Sequence, residues 1–285
     1  MAGVALALAT TAVRAGCNSG SVAHDYLLTS AGCQAYAAGS DAVALGYRAL
    51  ASGAYATALG GRKPGHAILG TSATGAYSVA VGGGDSTNFT PALGPDIVIQ
   101  LNGAQATGFV STAIGTASQA VGGGSTAIGL YARAIANDSI ALGEFSSSTK
   151  DRGIAVGLWS RATGIDSIAV GYLSNASGRS AIAIGAGAGA TALSSVAIGD
   201  SSVANAFNTV SVGANTLKRR IVNVGTGTDP TDAVNVGQLQ AALAAAVNSR
   251  FALERELKAL RREVSELKSL VRDHQMRLSQ IDARN

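Results

Sequence analysis

A glycine closes a short aliphatic tetrad every fourteen residues along the middle of this chain, at Gly115, Gly129, Gly143, Gly157, Gly171, Gly185, Gly199 and Gly213, without a slip. The tetrads read TAIG, TAIG, IALG, IAVG, IAVG, IAIG, VAIG and VSVG, and looser copies end at Gly46, Gly60, Gly70 and Gly82. A weaker beat falls seven residues after the anchor, where Gly53, Gly122, Gly164 and Gly178 close runs such as SNASG. A period of fourteen split into two sevens predicts two short strands and two turns per unit. A unit that small cannot bury a face alone, so residues 35–213 are expected to stack as a parallel β-solenoid. In Ile168-Ala169-Val170-Gly171, strand alternation separates Ile168 and Val170 from Ala169 and Gly171. The larger pair is expected to fill the interior, and the smaller pair to let another backbone approach closely. Faces of Ala and Gly would then be covered by association of several chains.

Composition excludes much else. The chain of 285 residues has 37 glycines and only 13% charged residues, which is unusual for an enzyme core. Residues 35–213 carry eight basic and eight acidic side chains, whereas residues 214–285 carry twelve and eight. Those basic residues are interleaved with acids, which argues against a nucleic-acid partner. No apolar run reaches the roughly 18 residues of a transmembrane helix. His24, His66 and His274 are isolated, and no His/Cys/Asp/Glu group has metal-ligand spacing. GAGAGA (185–190) and VGTGTD (224–229) lack the full phosphate-loop fingerprint and its βαβ setting. No catalytic residue, cofactor or metal is expected, and the chain reads as non-enzymatic.

Residues 1–34 hold an apolar run, Ala2 to Val13, without a basic segment before it. It reads either as the remnant of a secretion signal or as a strand that caps the fold. Cys17 and Cys33, the two cysteines, are a candidate disulfide of an exported protein, worth roughly 3 kcal/mol if formed, or else two buried thiols. Between Gly82 and Gly115 the rhythm breaks, and residues 83–111 read as an insertion emerging from one face. Its Asp85, Phe89, Asp96 and Gln100 are candidate ligand contacts, because inserted loops often carry binding.

From Val236 the apolar spacing changes to three and four. With Val236, Leu243, Arg250, Leu257, Val264, Val271 and Leu278 at a, the d positions are Leu239, Ala246, Leu253, Leu260, Leu267, His274 and Ile281. This unbroken heptad frame predicts a parallel coiled coil. The g-to-e pairs Glu256 with Arg261, Glu263 with Lys268 and Arg277 with Asp282 are opposite in sign and agree with it. Val264 at a over Leu267 at d leans towards two strands. Arg250 and His274 interrupt the seam, either for an anion or register control, or as side chains that snorkel to solvent.

Between the two patterns lies RRIVNVGTGTDPTDAVNVGQLQAAL, residues 219–243. Val222, Asn223, Asp232, Asn235, Val236, Gln238 and Leu239 resemble the neck of YadA-like trimeric autotransporter adhesins, and the fourteen-residue tetrads resemble the head repeats of that family. The resemblance implies a trimeric left-handed parallel β-roll head, a neck over 214–237 and a trimeric coiled-coil stalk over 238–285. It overrules the two-strand lean, and RLSQID (277–282) is similar to a trimer-specifying pattern with Asp in place of Glu. It further implies a homotrimer on the surface of a Gram-negative bacterium that binds extracellular matrix or a host cell receptor. Family members end in an outer-membrane anchor, whereas this sequence stops within the stalk frame, so a fragment is expected. A phage tail-fibre module built from the same head and neck is the alternative.

Overall fold

The computed structural model describes residues 18–21, 24–27, 35–46, 48–61, 70–84 and 102–282. From Tyr36 to Ser211 the chain winds in coils, each made of a two-residue strand, a turn, a three-residue strand and a second turn. The two-residue strands run from Tyr36–Ala37 to Val203–Ala204. The three-residue strands run from Val43–Leu45 to Val196–Ile198 and end in the shortened Val210–Ser211. Each set forms an 11-stranded parallel sheet whose neighbouring strands belong to successive coils.

The register advances by one coil per strand, so equivalent residues stack: Ile168 pairs with Ile154 and Ile182, and Ala169 with Ala155 and Ala183. The ladder also bridges the irregular intervals. Thr57–Leu59 pairs directly with Val79–Val81. Val79–Val81 in turn pairs with Thr112–Ile114. Gln105–Ala106, within the interval 83–111, already pairs with Ser72–Ala73.

The interior reverses the expected sidedness. Ala169 is fully buried and Ile168 and Val170 point outward, half-exposed, and an alanine is likewise buried at this position in every coil of the sheet but the last. The fully buried side chains among the described residues are Ala, Ser and one Thr, Thr71; none is Val, Ile, Leu or aromatic. The cause is dimensional. Two tight turns hold the two sheets so close that the coils admit only Ala, Ser and, once, Thr as inward side chains, so bulk must face out. Most interior serines are also satisfied locally: the Ser167 hydroxyl donates to the Gly164 carbonyl at 2.7 Å, Ser125 to Gly122 at 2.6 Å and Ser146 to Gly143 at 2.8 Å.

The anchor glycines do permit a close approach, but between coils of one chain. Gly171 has φ +128°, and a Cβ there would lie 2.6 Å from the Gly185 carbonyl atoms of the next coil. At Gly199, the last anchor with a positive φ, the guanidinium of Arg219 takes the place of the next backbone, 3.2 Å from where a Cβ would sit. Arg219 donates to the Val212 carbonyl at 2.8 Å, to the Asp200 carbonyl at 2.6 Å and to the Ser202 hydroxyl at 3.0 Å. It thereby covers carbonyls at the open end of the sheets, which a bare edge would leave unpaired. At the other end an antiparallel hairpin, Asn18–Ser21 with His24–Leu27, lies against the first coil.

Residues from Arg220 onward form a separate unit. It contains an irregular segment with turns and one helix, α1, over Val236–Asp282, 47 residues and about 70 Å at 1.5 Å per residue.

Candidate interaction surfaces

The inversion of the roll exposes an aliphatic face. Column by column, the three-residue sheet presents Ile140, Ile154, Ile168 and Ile182 beside Leu142, Val156, Val170 and Ile184. These side chains stay partly open to solvent in the single chain, Ile184 at 42%. A continuous aliphatic strip of this length marks an interface. The opposite sheet shows solvent a polar column instead, with Gln105, Gln119, Arg133, Ser147, Arg161 and Asn175.

The turns carry two aromatic ladders. Tyr131, Phe145 and Trp159 occupy one turn position in successive coils, with ring centroids 5.4 and 4.3 Å apart and planes within 10° of parallel. All three have φ between 53° and 59°, a conformation that bulky residues rarely adopt. The two flanking coils fix the turn, and the stacking offsets part of the strain. On the other edge Tyr55 stacks on Tyr77 at 4.9 Å, and Phe109 meets Tyr77 edge-on at 5.8 Å. Further along that edge the ladder becomes polar. Asn137 Oδ1 accepts from the Gly123 amide, Asp151 Oδ1 accepts from the Asn137 amide, and Arg152 pairs with Asp166. The hydrogen bond from Arg152 holds the Asp166 carboxyl below its usual range. The aromatic column was readable from its fourteen-residue spacing, and sequence reasoning missed it, as it missed Arg219.

The neck is held by amide side chains. The Gln238 Oε1 accepts from the Gly227 amide at 2.9 Å while its Nε2 donates to the Gly227 carbonyl at 2.9 Å. Asn235 Oδ1 accepts from the Gln238 amide at 2.9 Å, capping α1, and Asn235 Nδ2 donates to the Val224 carbonyl. Asp232 Oδ2 accepts from the amides of Thr228 and Asp229, and these bonds hold its carboxyl below the usual range. The structure thus gathers Asp232, Asn235 and Gln238 around one loop and leaves Val222, Val236 and Leu239 exposed. In α1, Leu243, Leu253, Leu257, Leu260, Val264, Leu267, Val271 and Leu278 are all exposed. Arg250 pairs with Glu254 at 2.9 Å, and no partner is found for His274 among the described residues. Cys17, Cys33, Asp85, Phe89, Asp96, Gln100 and the Ile281 side chain lie outside what the structure describes. Among the described residues no helix is long and apolar enough to cross a membrane.

A coiled solenoid followed by a helix with an open apolar seam defines a class, the head-and-stalk fibrous protein. The family model of the YadA head domain repeat matches residues 37–62, 104–132, 134–158, 162–188 and 190–216, and that of the coiled stalk of trimeric autotransporter adhesins matches 220–256. Together they span more than half of the chain, and the chain belongs to the YadA-like trimeric autotransporter adhesins. Among solved structures it is similar to the collagen-binding domain of the Yersinia adhesin YadA, at 34% identity and a TM-score of 0.44, over 59% of this chain and 98% of that one. No curated protein matches the chain. Members of the family are displayed on the Gram-negative cell surface as adhesins.

Proposed function

We propose that this chain is the passenger of a non-enzymatic, homotrimeric surface adhesin that binds extracellular matrix or a host cell receptor through many equivalent head surfaces. The observation that carries this reading is the pairing of two uncovered apolar surfaces, the aliphatic face of the head and the a/d seam of α1. Both are satisfied at once by parallel association of identical chains. Burying apolar side chains is worth about 25 cal/mol per Å², and the head repeats this gain in coil after coil. Three chains in a left-handed roll and coil are the arrangement the family supports, and both family matches fall to adhesin modules rather than to tail fibres. In the trimer the surfaces left for a ligand are the polar column with Arg133 and Arg161, the turn edges, and the segment containing Asp85, Phe89, Asp96 and Gln100. Three copies on one rod convert weak contacts into avidity.

Light scattering should report three chains per particle, and a monomer would remove the basis of the proposal. The trimer should bind immobilised collagen, fibronectin or laminin, and deletion of residues 85–101 should lower the signal. Failure to bind any of these, or epithelial cells, would overturn the adhesive role while leaving the trimer intact.

A further inference from the structure

The two polar residues of the stalk seam differ in how the helix treats them. Arg250, at an a position, reaches along its own helix to Glu254, an e residue, at 2.9 Å. Its charge is neutralised on the flank, so it has no need of the axis. His274 has no partner among the described residues, and the heptad frame puts it at a d position, on the seam. The d layer it forms lies between the apolar layers of Val271 and Leu278. From Lys268 to Leu278 no a, d, e or g position carries a carboxylate; the e residue beside His274 is Gln275 and the g residue is Arg277, while Asp273 falls at c, away from the seam.

We infer that His274 is a metal ligand: in the assembled stalk three imidazoles, one from each chain, hold one divalent transition-metal ion of the zinc class on the three-fold axis. The inference rests on the trimer reading proposed above. Parallel coils aim d side chains inward, so three copies bring three neutral nitrogens to one level. Imidazole suits zinc and nickel, and three histidines with an open fourth position are a known zinc coordination. That fourth position, along the axis, takes water or a small anion. The layers above and below exclude bulk water and limit competition for the ligands. One chain supplies a single donor at this level, and among the described residues no group of three His, Cys, Asp or Glu is gathered in the monomer.

The test uses the untagged full chain, with zinc chloride or with a chelator, followed by the thermal loss of helical circular dichroism. Zinc should raise the midpoint of the stalk transition by about 5 °C or more, with one ion bound per three chains. Cobalt substituted for zinc should give the visible bands of tetrahedral coordination. His274→Leu should remain trimeric, lose the zinc response and bind no cobalt. The double variant His24→Ala, His66→Ala should keep both. A trimer that shows no zinc-dependent shift, or a shift that survives in His274→Leu, would overturn the metal site. A particle of one or two chains in chelator would instead defeat the trimer reading itself, and light scattering separates the two failures.

Discussion

One coil exchanges its inward side chains. Most coils place Ala at the second position of the two-residue strand and Ser before the three-residue strand, as in Ala162 and Ser167. The coil containing Ser148 has Gly153 at the second site, and a Cβ added to Gly153 would lie 2.5 Å from the Ser148 hydroxyl, which is buried without a partner. Two sites share one small volume. Gly153→Ser should therefore destabilise the head by roughly 1–3 kcal/mol through overpacking. Ser148→Ala alone should be close to neutral, because it removes an unpaired hydroxyl. The double variant should recover most of the loss, with the new hydroxyl donating to the Lys150 carbonyl as Ser167 does to Gly164. Denaturant midpoints of the three variants would show it, and simple additivity would refute the shared volume. The same dimension explains what the residues concealed. Period and strand pairing were legible in Gly171 and its column, but alternation alone does not say which side of Ile168-Ala169-Val170 is inside. Hydrophobicity pointed the larger residues inward, whereas the width of a fourteen-residue coil decides for alanine.

At the level of elements, the neck is a loop closed by side chains onto backbone amides. Asp232 contributes through its ionised form, since its bonds from Thr228 and Asp229 hold its carboxyl below the usual carboxylate range in the folded chain. The contribution is fully present above the ordinary carboxylate value and lost as the pH falls through the depressed one. Amide exchange at Thr228 and Asp229 should accelerate across that acid window, and Asp232→Asn should be insensitive to it. Exchange that stays pH-independent after correction for intrinsic rates would show that the carboxylate does not hold the loop. The neck sequence was legible as a pattern. That Asn235 caps α1 and Gln238 grips Gly227 on both of its polar groups was not, because these bonds join residues up to 11 apart through turns no local pattern fixes.

For the whole molecule, one strand divides its side chains: Ala169 is buried within the chain, and Ile168 and Val170 form the face that the proposed association would cover. Ile168→Asp should leave each coil's Ala and Ser interior untouched while placing a carboxylate in the aliphatic face, so a head made of residues 1–219 should lose association but keep its β-sheet circular dichroism. Loss of both together would show that the roll does not stand without its partners. Coils contact only their neighbours, so removal of residues 171–184 should join Val170 to Gly185 in register. The shortened chain should keep its oligomeric mass per chain count and lose about 4.8 Å of rod.

Arg219 and the amino-terminal hairpin close the two ends without reference to how many coils lie between them. Length is therefore free to vary in whole steps: a gene that gains or loses one repeat changes how far the protein reaches, and neither terminus has to be rebuilt to accommodate it.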